Sequence, residues 1–193
     1  MKKKTLKIIC LAACIGLIFA FVMRYYDLNF NQFPNPIIVK HKIGETIDGG
    51  NVSILVTDYQ MLTRDEFKGM FPDYEESLDI LGNPLENDEV YHLLVTMKLV
   101  NHTDEVQYIT PFIVAAESLI WTNGLDREEF NMMNEEGDSV MRVEIGPNKS
   151  KEIILPYNVY NFHFKEKDWK NIRSRKFDIT LSHYPVKHII ELN

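Results

Sequence analysis

Along residues 89–101, EVYHLLVTMKLVN, every second position from Tyr91 is apolar: Tyr91, Leu93, Val95, Met97 and Leu99. A strand sends successive side chains to opposite faces, so these five predict one buried face. At about 36 Å the strand is long enough to cross a whole sheet. The opposite face carries Val90, His92, Leu94, Thr96, Lys98 and Val100, a mixture that predicts partial cover. Such a strand belongs in the interior of a sheet, with the other elements paired beside it or packed on it.

Shorter alternating runs surround it. Residues 37–39 and 51–59 predict two strands before it, the second through Val52, Ile54 and Val56. Residues 105–112, 115–122, 140–145 and 150–157 predict four after it, with Asn123-Gly124 closing the second of these. Pro111 places the first of them near an edge. Phe177, Ile179 and Leu181, then Val186, His188 and Ile190, predict a terminal hairpin through residues 182–185. Helix signals are few. Thr63 and Glu66 have capping-box spacing, and a helix from there must stop before Pro72. One further helical turn is expected at 74–81 and another at 165–172, under Trp169. Many short strands with turn signals between them predict a mainly β chain, folded as an antiparallel sandwich over 37–193 with an insertion at 63–88.

The N-terminus follows a different pattern. Residues 8–23 carry no charge, and Leu6 to Tyr26 spans about 31 Å as a helix, enough for a bilayer core. Lys2, Lys3, Lys4 and Lys7 lead the span, Arg24 follows it, and Tyr25 and Tyr26 fall where an aromatic belt belongs. The lysine bias predicts a single-pass transmembrane helix over 1–26 with a cytoplasmic N-terminus, a linker over 27–36 and an extracellular body. Two other readings of the segment exist. Leu11-Ala12-Ala13-Cys14 is a lipobox-like run that would place a lipid on Cys14, and Ala20 would close a cleaved signal sequence. Nine apolar residues after Cys14 argue against the lipid. The bulky Ile18 argues against cleavage.

Charge separates the anchor from the body. Five of the 21 basic residues lie in the first 24, which hold no acid; the rest of the chain has sixteen basic residues against 28 acidic ones. That acidic body argues against nucleic acid as a partner. Both cysteines, Cys10 and Cys14, lie in the apolar run, so no disulfide staples the body.

The polar residues show no catalytic spacing. The histidines, at 41, 92, 102, 163, 183 and 188, form no zinc-helix motif, although His183 and His188 share the terminal hairpin. No serine stands in a nucleophile elbow, and there is no phosphate-cradling glycine loop. The aromatic run at 157–164 is expected to plug the open end of the sandwich with Trp169 packed on it. The strongest charge feature is the insertion: from Thr63 to Glu89 nine acids, Glu89 included, stand against Arg64 and Lys68. It lacks the ordered ligands of a calcium loop, and its Asp73, Glu75, Glu76 and Asp79 are the candidate interaction surface for a cationic partner.

The order of these features resembles a known group. A lysine-led anchor, IGETI, a strand ending VTDYQML, an acidic insertion, VYHLLVTMKLVNHTDE, a Trp-Thr-Asn-Gly turn, GPNKSKEIILPY and a terminal FDITLSHYPVKHIIEL follow in turn. This succession is similar to the telokin-like, immunoglobulin-like extracytoplasmic domains of Gram-positive bacteria, in particular their small membrane-anchored, uncharacterised members. The resemblance implies an immunoglobulin-like sandwich on the outer side of the membrane and no reaction. The expectation is a non-catalytic binding or accessory domain, without cofactor or metal, that acts on an envelope protein. The alternative is a cell-surface enzyme or metal-binding protein.

Overall fold

The computed structural model describes residues 3–72, 74 and 89–192. The chain divides into two compact units, Met1–Ile37 and Ile38–Asn193.

In the first unit, helix α1 (Lys3–Tyr26) runs on into a π-helical turn, Asp27–Gln32. The first half of the expected linker is therefore helical rather than extended. Asp27 holds the turn together by accepting from Arg24 Nη1 at 3.1 Å, Gln32 Nε2 at 2.7 Å and Asn31 Nδ2 at 3.3 Å. Among the described residues, one helical stretch, Lys7–Gln32, is long and apolar enough to cross a membrane, and none of it is buried by protein. Cys10 and Cys14 are exposed on it.

The second unit is a β-sandwich of antiparallel strands with a few short helices. Its strands are β1 (Ile37–Lys42), β2 (Thr46–Asp48), β3 (Val52–Thr63), β4 (Val90–Asn101), β5 (Gln107–Ile109), β6 (Ala115–Ser118), β7 (Trp121–Asn123), β8 (Val143–Ile145), β9 (Ser150–Tyr160), β10 (Asp178–Thr180) and β11 (Val186–Glu191). One sheet has the order β2-β3-β4-β9, a second β1-β11-β10-β6-β7, and β5 pairs with β8. Helices α2 (Arg64–Met70), α3 (Arg127–Met133) and α4 (Glu166–Trp169) are short.

The long alternating strand is interior, as its pattern predicts. β4 lies between β3 and β9, and Leu93, Val95, Met97 and Leu99 belong to one core. Across the ladder Leu93 meets Tyr157, Val95 meets Leu155 and Met97 meets Ile153, all core residues. Ala116, Ile179 and Ile190 of the second sheet belong to the same core. On the β3 side, the register slips between Val56 and Asp58. The extra residue reverses the alternation, so that Tyr59 and Met61, rather than Asp58, pack on the core.

Several boundaries move. The strand expected over 105–112 is only Gln107–Ile109, because Pro111 opens a 3-10 turn at Pro111–Ile113. The run at 140–145 keeps only Val143–Ile145 as strand. The strand expected over 115–122 is two, β6 and β7, turning at Leu119-Ile120 rather than closing at Asn123-Gly124. Helix α3 falls where no element was expected. The α2 helix starts as predicted: Glu66 N–H donates to Thr63 Oγ1 at 3.2 Å, and Thr63 N–H to Glu66 Oε2 at 2.7 Å. The helical turn expected at 74–81 lies outside the described residues. Of the aromatic run, Phe164 stacks on Trp169 at 6.2 Å and packs against Trp121, which also meets Phe177, whereas Phe162 is exposed.

Candidate functional site

The outer face of the four-stranded sheet is polar at one place where it should be apolar. His92 and Asn158 face each other across the β4–β9 ladder, and both are buried. The sequence pattern put His92 on a partly covered face among surface histidines. Two helices correct that reading by closing over it.

Helix α3 is held on the outer edge of β9. A strand edge presents unpaired N–H and C=O groups that must find partners. Asp126 N–H donates to Pro156 O at 3.0 Å, and Asn123 Nδ2 to Asn158 O at 2.8 Å. At the other end of the helix Asn134 mimics a strand: its amide donates to Ile154 O at 2.9 Å and its oxygen accepts from Ile154 N–H at 2.8 Å. Pro156, which has no N–H to offer, suits this edge. Asp126 caps the helix, accepting from Glu129 N–H at 2.9 Å.

This anchoring drives Glu129 into the interior with no exposed surface, and His92 keeps only 3% of its own. His92 Nδ1 lies 2.9 Å from Glu129 Oε1, and with the proton on Nδ1 the imidazole donates to the carboxylate. Tyr74 Oη donates to the same oxygen at 3.2 Å. From α2, Phe67 stacks on the imidazole with ring centroids 3.9 Å apart and edges onto Tyr74 at 5.0 Å. Asn158 Nδ2 donates to Asp126 Oδ2 at 3.1 Å. Glu129 Oε2 and Asn158 Oδ1 are buried with no hydrogen-bond partner among the described residues. Burial, with the nearby Glu129 charge, raises the Asp126 carboxyl above its ordinary range.

An imidazole oriented by a carboxylate is the positioning half of a general base. Here both groups are covered by Phe67, Tyr74 and α3, and their contacts join α2, α3 and the first residues of the acidic insertion to the sheet. Among the described residues no group of three His, Cys, Asp or Glu can hold a metal.

Asp73, Glu75, Glu76 and Asp79 lie outside the described residues. His188 meets His41 rather than His183: the rings stack with His41 Nε2 3.0 Å from His188 Nδ1. Sequence reasoning missed Asp126 and Glu129, although Asp and Glu three residues apart before Phe130 are an N-terminal helix signature.

Three solved structures are similar. An uncharacterised β-sandwich protein from Clostridium difficile 630 is 11% identical, with 83% of this chain and 97% of that one covered and a TM-score of 0.48. The yjhA protein from Bacillus subtilis is 10% identical, with 79% and 99% covered and a TM-score of 0.44. A functionally unknown protein from Listeria monocytogenes EGD-e is 10% identical, with 70% and 68% covered and a TM-score of 0.42. No curated protein matches the chain. The family described as a domain of unknown function, DUF5028, matches residues 40–188. With that match spanning most of its length, the chain belongs to the DUF5028 family.

Proposed function

We propose that this chain is a membrane-tethered, non-catalytic interaction domain displayed on the outer face of the membrane, with a telokin-like, immunoglobulin-like body. One observation carries the reading. Lys7–Gln32 is a long apolar helix with none of its residues buried by protein, while the body has a core of its own. Apolar surface on that scale needs a nonaqueous partner, and a bilayer is one of matching length. The lysines at its start set the orientation. The buried His92–Glu129 pair supports the non-catalytic part, since its contacts serve to fasten α2, α3 and Tyr74 to the sheet. The partner is an envelope protein with a cationic surface, met by Asp73, Glu75, Glu76 and Asp79.

Two experiments test this. Protease added to intact protoplasts should digest the body; full protection of residues 27–193 would reject the topology. Crosslinking from intact cells at low salt should recover the partner, and neutralising Asp73, Glu75, Glu76 and Asp79 together should lose it. Unchanged recovery would remove those acids from the reading.

A second reading, a surface enzyme, is favoured by one observation: Glu129 Oε2 is a buried acceptor without a hydrogen-bond partner among the described residues. Turnover of a defined substrate, abolished by His92→Phe in a variant that still melts cooperatively, would establish it in place of the first.

A further inference from the structure

Where β9 ends, part of the aromatic run stays outside the core. The strand passes into a 3-10 turn, Asn161–His163, and α4 follows. Glu89 stands just before β4, and Asn161 N–H donates to its carbonyl at 3.0 Å. These segments enclose a recess of about 380 Å³, lined by Glu89, Asn161, Phe162, Phe164, Glu166 and Trp169.

The recess has an apolar side. Phe164 and Trp169 stack on each other and are partly buried. Phe162 is 61% exposed, although Tyr160 stacks on one of its faces with centroids 5.1 Å apart. Closing the sandwich therefore accounts for Phe164 and Trp169 but leaves Phe162 in water.

It also has a polar side, and that side lacks a cation. Trp169 Nε1 donates to Glu89 Oε2, a neutral donor that fixes the carboxylate without cancelling its charge. Glu166 takes Lys170 at 2.7 Å, but both side chains are mostly exposed, and such a pair is weak. Asn161 Oδ1 is buried and accepts no hydrogen bond among the described residues. A buried acceptor without a donor is costly. Among the described residues no Lys, Arg or His lines the recess. Arg175 lies over the Phe164 ring at 5.0 Å, but it spends its Nε on Ser118 Oγ at 2.7 Å and its Nη2 on the Ser118 carbonyl at 3.2 Å.

We infer that this recess receives a lysine side chain of a protein partner, with its methylenes on Phe162 and Trp169 and its ammonium among Glu89, Glu166 and Asn161 Oδ1. The mixture of walls selects that side chain. Aromatic rings take an apolar stem, and their faces attract the charge at its tip. An ammonium carries three N–H donors and no acceptor, and three acceptors await it here. A quaternary ammonium would suit the rings but has no donor for Asn161 Oδ1. The flat fork of a guanidinium matches one carboxylate side-on, not three acceptors around a point. The inference deepens the interaction reading above: it rests on a cationic protein partner and gives one of that partner's lysines a place.

The test titrates the full chain, labelled with nitrogen-15 and held in detergent micelles, with a blocked glycine peptide carrying a single lysine. The chain has two tryptophans, and Trp169→Phe identifies which indole signal belongs to residue 169. The peptide should move that signal, whose proton lies on Glu89, in a saturable way. Glu89→Gln should weaken binding about tenfold, because it removes a charge-assisted hydrogen bond. Phe162→Ala and added salt should weaken it as well. Peptides with acetylated or trimethylated lysine should bind about tenfold more weakly than the parent peptide. No saturable response, an affinity unchanged by Glu89→Gln, or equal binding of the acetylated peptide would overturn the inference. Trimethyl-lysine that binds as tightly as lysine would show a cation held by rings alone and would overturn it too. The titration needs no native partner, so its failure removes the recess alone, while the crosslinking above decides the interaction reading.

Discussion

The His92–Glu129 cluster and the Leu119-Ile120 turn break the rule of apolar inside and polar outside in opposite directions. In the cluster, a histidine, a glutamate and an asparagine are buried, and most of their hydrogen bonds are met within the body: His92 and Tyr74 on Glu129, Asn158 on Asp126. In the turn, leucine and isoleucine are exposed, and the described residues of the body leave them in water. A buried polar group that finds internal partners is explained by the fold that surrounds it. An exposed apolar group in a backbone conformation its residue type disfavours, as Leu119 is at φ 55°, is not explained by the fold around it.

Substitutions can test that distinction, and a core position sets the upper end of the scale. Val95 is fully buried at the centre of β4. Val95→Asp would bury an unpaired charge and should cost at least about 4 kcal/mol, a large fraction of a domain's whole stability. A variant body that melts like the parent would show that this face is not core. Glu129→Ala should come next, at about 3 kcal/mol in denaturant melts, because it strands the His92 and Tyr74 donors and leaves a void. Glu129→Leu combined with His92→Phe should recover most of that loss, since removing both members leaves no orphan. If Glu129→Ala alone is neutral, the cluster contributes little to stability, and the contrast with the turn loses its first half.

The sequence made the strand series legible where alternation was strong, and less so elsewhere. β4 and the terminal hairpin follow directly from period-two patterns, and α2 from its capping box. The cluster was hidden for a physical reason. Whether His92 is buried depends on what covers its face, and the cover is Phe67 of α2 together with α3, a helix of seven residues with too few turns to show a period. The turn was misplaced because Asn123-Gly124 is the stronger turn signal, while Leu119-Ile120 is a poor one. The bulge in β3 was invisible for a similar cause: it reverses the alternation in the middle of a strand, and only the ladder with β4 reveals the slip.

The turn provides the next test. Leu119→Asn places in the left-handed region a residue that tolerates it, and removes an exposed apolar side chain from water. It should stabilise the body by about 1 kcal/mol in thermal or denaturant melts. A gain of that kind would mean the native leucine is held at a cost to stability, which sharpens the contrast with the cluster. A loss of similar size would mean that Leu119 makes a stabilising contact within the body, and the turn would then be explained by its own fold.

The smallest effect concerns Asp126, where the cluster's accounting is least complete. Its carboxyl caps α3 and accepts from Asn158, yet burial, aided by the neighbouring Glu129 charge, raises its pKa above the ordinary 3.8. The folded body therefore takes up this proton at a higher pH than the unfolded chain does. The stabilising contribution of the protonated form is fully present below about 3.8 and is lost as pH rises through the folded value. At neutral pH the charged carboxylate is a small burden, discounted because the group is partly open to solvent. Asp126→Asn keeps a good N-cap, removes the charge and can turn its amide toward the unpartnered Asn158 Oδ1. The variant should be more stable than the parent by a few tenths of a kcal/mol near pH 7, measured as a shift in denaturant midpoint. That advantage should shrink as both proteins are brought toward pH 4. An advantage that does not depend on pH would assign the gain to the hydrogen bond with Asn158. A destabilised variant would show that the carboxylate charge itself, close to His92, holds the cluster together.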